Sequence, residues 1–139
     1  MTGEWVADIL AALTLDEKIS LLAGRDLWET VPVPRVGLPP LKVTDGPNGA
    51  RGADLNYGPT STSFPVGAAM GATFDPELID EVGRALAAET RAKGADVLLA
   101  PTLNIPRIPN AGRNFECLSE DPVLSGMLAA AYIRGLQAE

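Results

Sequence analysis

The chain contains no histidine. Chemistry that depends on an imidazole, such as a Ser-His-Asp triad or a His-ligated zinc site, is therefore excluded within these residues. Carboxylates, Arg, Lys, Tyr and hydroxyls are what is left to work with. Cysteine is almost as scarce: Cys117 stands alone, so no internal disulfide can form. No apolar run approaches the ~18 residues of a transmembrane helix. The opening, MTGEWVADIL, has no basic segment and carries Glu4 and Asp8 among its apolar residues. It does not read as a secretory signal, and a cytoplasmic location is expected. Basic residues are in deficit, 11 against 18 acidic, for a net charge of -7. Nucleic acid and an anionic membrane surface both require a basic face, so neither is expected as a partner.

What is present is ordinary for a globular domain: 139 residues, 46% of them apolar and 21% charged. Such a length can bury a sizeable core. The chain opens with apolar residues at helical spacing, Trp5, Val6, Ile9, Leu10 and Leu13. Thr14-Leu15-Asp16-Glu17 has capping-box form, and Leu15, Ile19 and Leu22 give the helix behind it an apolar stripe that Gly24 should stop. From Arg25 to Pro40, four prolines disfavour helix and leave extended backbone. Trp28 lies in this loop, where it is either an aromatic plug over the core or a platform on which a sugar ring stacks.

The most informative stretch is Leu41 to Arg51, LKVTDGPNGAR. Its first residues alternate apolar and polar like a short strand, and the pattern stops at Asp45-Gly46-Pro47. Asp45 is thus expected where a strand ends, which is where α/β proteins bind ligands. A solvated aspartate in a tight turn is the plainer alternative. A polar loop, Gly52 to Ser63, follows, and then a small-residue run, Val66 to Thr73, whose glycines and alanines suggest tight packing rather than a clear element. Asp75-Pro76 announces a helix with Leu78, Ile79, Val82, Ala85 and Leu86 as its buried face, closed by Lys93 and Gly94. Asp96 to Ala100 reads as a strand covered on both faces. A loop of some twenty residues runs from Pro101 to Asp121, a length more often functional than idle. Asp121-Pro122 starts a last helix marked by Val123, Leu124, Met127, Leu128, Ala131 and Leu136.

The order of helix, helix, strand, helix, strand, helix implies an α/β fold with a parallel sheet. Two strands leave both sheet edges open, so further strands are expected beyond these. Because both long loops follow strand ends, Asp45, Arg51, Arg113 and Glu116 should come within reach of one another. Their chemistry suits a hydroxyl-rich ligand, since a carboxylate accepts from vicinal hydroxyls and a guanidinium donates in a fixed fork. Ion pairs with nearby carboxylates are the structural alternative for the two arginines. A phosphate ligand fits poorly. The glycines match neither phosphate-binding spacing, and Asp45 would repel the anion. No cofactor and no metal are expected.

The residues Thr44-Asp45-Gly46-Pro47-Asn48-Gly49-Ala50-Arg51 and Gly112-Arg113-Asn114-Phe115-Glu116-Cys117-Leu118-Ser119-Glu120-Asp121-Pro122 strongly resemble the N-terminal domain of family 3 glycoside hydrolases, most closely its β-glucosidases. Asp16-Glu17-Lys18-Ile19, Gly71-Ala72-Thr73-Phe74 and Leu98-Leu99-Ala100-Pro101 are similar to the family as well, in its order. The resemblance covers nearly the whole chain from about Leu13. It implies the first βα units of a (β/α)8 TIM-type barrel, incomplete here: N-terminal helices and a Pro-rich loop over 1–40, then two βα units over 41–139. A barrel of this type takes roughly 250 residues. It further implies that Asp45, Arg51 and Arg113 bind the non-reducing-end glucose of a β-glucoside or oligosaccharide; Trp28 is counted beside them as a candidate substrate contact on its side-chain type alone. Glu116 is expected to order Arg113, and Asp121 to cap a helix.

Family members also carry a downstream Lys-His pair, an aspartate nucleophile and an acid/base carboxylate, none of which falls in these residues. The implied function is part of a retaining β-glucosidase, completed by the remainder of the barrel and by C-terminal domains. A non-catalytic sugar-binding or assembly module, or an inactive fragment, is the alternative from another class.

Overall fold

The computed structural model describes residues 3–52 and 58–138. The polar loop expected from Gly52 to Ser63 lies partly outside the described residues. The chain divides into two compact units, Met1–Val43 and Thr44–Glu139, each taken here by itself.

The first unit holds helices α1 (Gly3–Ala12) and α2 (Leu15–Ala23). The capping box forms as read: the Thr14 hydroxyl accepts from the Glu17 N–H at 3.2 Å, and Glu17 Oε2 accepts from the Thr14 N–H at 2.8 Å. Glu17 does more than cap. It also takes the Arg35 guanidinium at 2.5 and 3.1 Å, while a second Arg35 contact donates to the Ala12 carbonyl at 2.9 Å. One arginine thereby ties the end of α1 to the start of α2. The Pro-rich stretch is more ordered than a plain extended loop. It folds through a 3-10 turn at Pro34–Val36 and two antiparallel bridges, Glu29 with Lys42 and Val33 with Leu38. The expected apolar faces of the helices are not buried, since neither α1 nor α2 has a buried residue and Leu22 is 89% exposed. Leu13, just past α1, and Val33 are the buried apolar side chains of this unit among the described residues.

Strand β1 (Val43–Asp45) straddles the boundary, and Asp45 is its last residue, as the sequence suggested. The second unit continues with α3 (Gly67–Gly71), α4 (Pro76–Ala92), β2 (Val97–Leu99) and α5 (Pro122–Leu136). β1 and β2 pair side by side in a small parallel sheet. Asp75 caps α4 by accepting from the Glu77 and Leu78 N–H groups, and Asp121 caps α5 by accepting from Val123. Each has proline at the first helical position, where a missing N–H costs nothing.

Three readings need correction. The Val66–Thr73 run contains helix α3, whose glycines touch backbone: a Cβ on Gly67 would lie 2.0 Å from the Glu116 carbonyl oxygen. The tight packing that its glycines and alanines suggest is present; what the run did not show is the helix, because close packing of small residues carries no apolar period. Helix α4 buries Ile79, Gly83, Leu86, Ala87 and Thr90, whereas Leu78 and Ala85 are exposed. On α5, Val123 and Met127 are likewise exposed, and Ser125, Ala129, Tyr132 and Gly135 are buried in their place. The reason is a glycine-mediated crossing. A Cβ on Gly83 would meet the Tyr132 carbonyl oxygen at 2.4 Å, and one on Gly135 would meet that of Asp80 at 2.0 Å. The two helices therefore approach along their small residues, which turns the apolar stripes partly outward. Lastly, β2 is covered on one face: Leu98 is buried, while Val97 and Leu99 are not.

The core gathers Ile79 and Leu86 of α4, Leu128 and Tyr132 of α5, Leu98 of β2 and Met70 of α3. Fully burying aliphatic side chains of this size contributes roughly 1.5–3 kcal/mol each. Thr44 of β1 is buried with them, its hydroxyl accepting from the Gly52 N–H at 2.9 Å.

Candidate active site

The site begins with the turn that β1 feeds. The Arg51 N–H donates to the Asp45 carbonyl at 2.9 Å, and the Gly49 N–H to that of Gly46 at 3.2 Å, closing a tight loop. Gly46 and Gly49 adopt φ of 136° and 152°. A Cβ on either would fall within 1.9 Å of a carbonyl oxygen, that of Gly49 or of Thr62, so neither position accepts a side chain. From beneath, the Tyr132 hydroxyl donates to the Pro47 carbonyl at 3.0 Å, and burial pushes the Tyr132 phenol above its ordinary pKa. The turn is thus anchored on the core through α5.

Asp45, Arg51, Arg113 and Glu116 line one cleft of about 360 Å³, together with Asn48, Ser61–Ser63 and Phe115. The Arg51 Nη1 to Asp45 Oδ2 separation is 3.8 Å, with both side chains close to half exposed. This is a loose ion pair, too long for a hydrogen bond, which leaves the Asp45 oxygens open to another donor. Arg113 is held differently. Glu116, at the end of a 3-10 turn (Asn114–Glu116), accepts from it in bidentate fashion, Nε at 2.7 Å and Nη2 at 2.6 Å. The hydrogen bond to Arg113 holds the Glu116 carboxyl below its ordinary pKa. Reciprocally, the hydrogen bonds that Arg113 donates to Glu116 raise the Arg113 pKa, with a smaller contribution from the charge of Asp45. The Arg113 side chain is 81% exposed, and Glu116 fixes its plane.

The four residues expected to meet are therefore brought together, and Glu116 orders its arginine. Both arginines do form the ion pairs of the structural alternative, but each with donor edges to spare. Trp28 belongs to the first unit. It is half-buried there, its N–H donating to Asp26 Oδ1 at 2.7 Å and its carbonyl accepting from the Val43 N–H at 2.7 Å. A second, larger hollow of about 980 Å³ is enclosed by the long loop, lined by Leu103, Ile105 and Ile108 and bordered by Arg113 and Glu116.

Sequence reasoning missed the supports of the cleft. Glu89 and Lys93, near the end of α4, both bind Ala50 of the turn. One signal existed: a glutamate in a helix's last turn opposes the macrodipole, so its position asks for another explanation.

Fold and site together define an α/β domain whose carboxylates and guanidinium groups collect past its strand ends. Residues 23–139 match the glycosyl hydrolase family 3 N-terminal domain, and the chain belongs to that family. It is 56% identical over 135 residues to a β-glucosidase of Rhizobium radiobacter, covering 96% of this chain and 16% of that protein. It is likewise 56% identical over 132 residues to β-glucosidase B of Emericella nidulans, covering 95% and 16%. Among solved structures, the β-glucosidase of Kluyveromyces marxianus in complex with glucose superposes with a TM-score of 0.91 at 44% identity, covering 96% of this chain and 16% of that one. β-Glucosidase 3B of Thermotoga neapolitana in complex with α-D-glucose gives 0.85 at 44% identity, covering 96% and 21%. The chain thus spans about a sixth of the length of the curated relatives it matches.

Proposed function

We propose that the cleft at Asp45 is the glucose-binding subsite of a retaining β-glucosidase that removes terminal non-reducing β-D-glucosyl residues. The observation that carries this reading is Asp45 itself, a half-exposed carboxylate at a strand end, 3.8 Å from Arg51 and lining the same cleft as Arg113. An ionised carboxylate accepts from two neighbouring sugar hydroxyls, and the guanidinium forks donate to others. In this reading residues 41–139 supply the first two βα units of a (β/α)8 barrel, and 1–40 the helices and Pro-rich loop before it. The remainder of the barrel and C-terminal domains complete the enzyme. Trp28 is a candidate for stacking on a sugar ring by its side-chain type.

A retaining glycosidase needs two carboxyl groups ~5–5.5 Å apart across the scissile bond. Glu116 is engaged by Arg113 through both oxygens, so it is poorly suited to either role. The nucleophile and the acid/base therefore come from outside residues 1–139. The cleft's task is to hold the glucosyl ring so that those groups meet its anomeric carbon. Binding energy from such remote contacts orients the reacting centre and raises kcat as well as lowering KM.

The test is a pair of substrates on the full-length protein carrying Asp45→Ala. A nitrophenyl β-glucoside should lose most of its turnover. An analogue lacking the contacted hydroxyl should lose much less between wild type and variant. Equal losses on both would mean that Asp45 holds the turn together instead of reading the sugar.

A further inference from the structure

The turn that carries Asp45 and Arg51 is fixed from outside by α4. Glu89 Oε2 accepts from the Ala50 N–H at 2.8 Å, and Glu89 Oε1 accepts from the Thr62 N–H at 2.6 Å. One turn later, at the C-terminal cap of the same helix, the Lys93 ammonium donates to the Ala50 carbonyl. Ala50 is fully buried, so protein groups take the place of water at both of its polar atoms. Arg51 is the next residue, and Ser61, Thr62 and Ser63 line the same cleft from the other limb. A single carboxylate thus ties the two limbs of the cleft to one point on α4.

We propose that Glu89 is a positioning residue for sugar binding, which aims Arg51 at the Asp45 side of the cleft and sets the Ser61–Ser63 limb against it. This rests on the reading of the cleft as a glucose site. Only an ionised carboxylate meets the local demand. Both of its oxygens are acceptors, and both face backbone donors. A glutamine of the same shape offers one acceptor and turns an NH2 group toward the second N–H. Helix stability gives no reason for an acid here, because the negative end of the helix dipole is close by. Glu89 lines neither the cleft nor the larger hollow beside it, so its effect on a sugar must pass through the residues it holds.

The experiment is a double-mutant cycle on the full-length enzyme, with glucose as a competitive inhibitor of nitrophenyl β-glucoside hydrolysis. Glu89→Gln is expected to weaken glucose inhibition by roughly tenfold, the size of coupling found within shared hydrogen-bond networks. In an Arg51→Ala background the same substitution should weaken it by less than about twofold, because the group being aimed is gone. An equal weakening in both backgrounds would overturn the proposal, since general loosening of the fold does not depend on Arg51. If Arg51→Ala by itself leaves glucose inhibition unchanged, the glucose reading of the cleft fails. If Arg51→Ala weakens inhibition and Glu89→Gln does not, the positioning role alone fails. Should Glu89→Gln not fold, Glu89→Asp enters the same cycle. It keeps the charge but cannot span both limbs, and the same two outcomes decide.

Discussion

The two units carry helix pairs built on opposite terms. In the first, α2 starts on a full capping box and Arg35 ties it to the end of α1, yet the apolar stripes of both bury nothing. In the second, α4 and α5 leave part of their apolar stripes outside, yet they close on each other through Gly83 and Gly135 around a buried Tyr132. The lesson is that an amphipathic pattern states that a face exists and says nothing of what covers it. A cap acts over two or three residues, so its partners are set by the local sequence. Burial depends on which surfaces meet, and here the meeting is decided by where side chains are absent.

The site sits with the second helix pair, and the largest predicted effect tests that assignment. In the full-length protein, Asp45→Ala should cost about 3–6 kcal/mol of transition-state stabilisation, taking ~1.5–3 for each of two hydrogen bonds to a charged group. That is a fall in kcat/KM on the order of a hundredfold or more, read by steady-state kinetics. Arg113→Lys should also lower kcat/KM, roughly tenfold or more, because an ammonium cannot donate in a plane to both Glu116 and a sugar. If either variant behaves like wild type, the assignment of the glucose subsite to the second unit is broken.

Next in size is the glycine crossing. Gly135→Ala places a methyl carbon 2.0 Å from the Asp80 carbonyl oxygen, and no flexible side chain is there to yield. The helices must separate, at a cost of about 1–3 kcal/mol by the usual scale of overpacking, seen as a lower midpoint in denaturant. An unchanged midpoint would show that α4 and α5 do not meet where described.

In the first unit, Thr14→Ala removes the hydroxyl of the capping box and should cost about 1 kcal/mol, measured in the same titration. A loss as large as that of the glycine variant would mean that this unit is no less dependent on its local contacts than the second is on its core.

The smallest effect is one of pH. The Arg35 hydrogen bonds, with those from Thr14, draw the Glu17 pKa from 4.5 down to about 2. A carboxyl with a depressed folded pKa stabilises the fold fully above its unfolded value. That contribution fades as pH falls from about 4.5 through about 2. NMR titration of the Glu17 carboxyl should show the low midpoint, and Arg35→Met should move it back toward 4.5. The Arg35 partner is more than half exposed and the Glu17 side chain partly so, and solvent screens the pair, so the effect on overall stability is small.

By itself the sequence determined the parts of this protein that are local. Thr14 with Glu17, Asp75 with Pro76 and Asp121 with Pro122 set helix starts, because a cap's partners lie two or three residues away. The Thr44–Arg51 and Gly112–Pro122 motifs likewise named the family and pointed to one shared cleft. Tertiary structure alone decided the rest. The buried faces of α4 and α5 follow from a glycine contact between helices, and glycine leaves no mark on an apolar period. The supports of the cleft join Ala50 to Glu89 across 39 residues and Pro47 to Tyr132 across 85. Nothing in a linear pattern pairs such residues, since only the folded backbone brings the donor of one to the acceptor of the other.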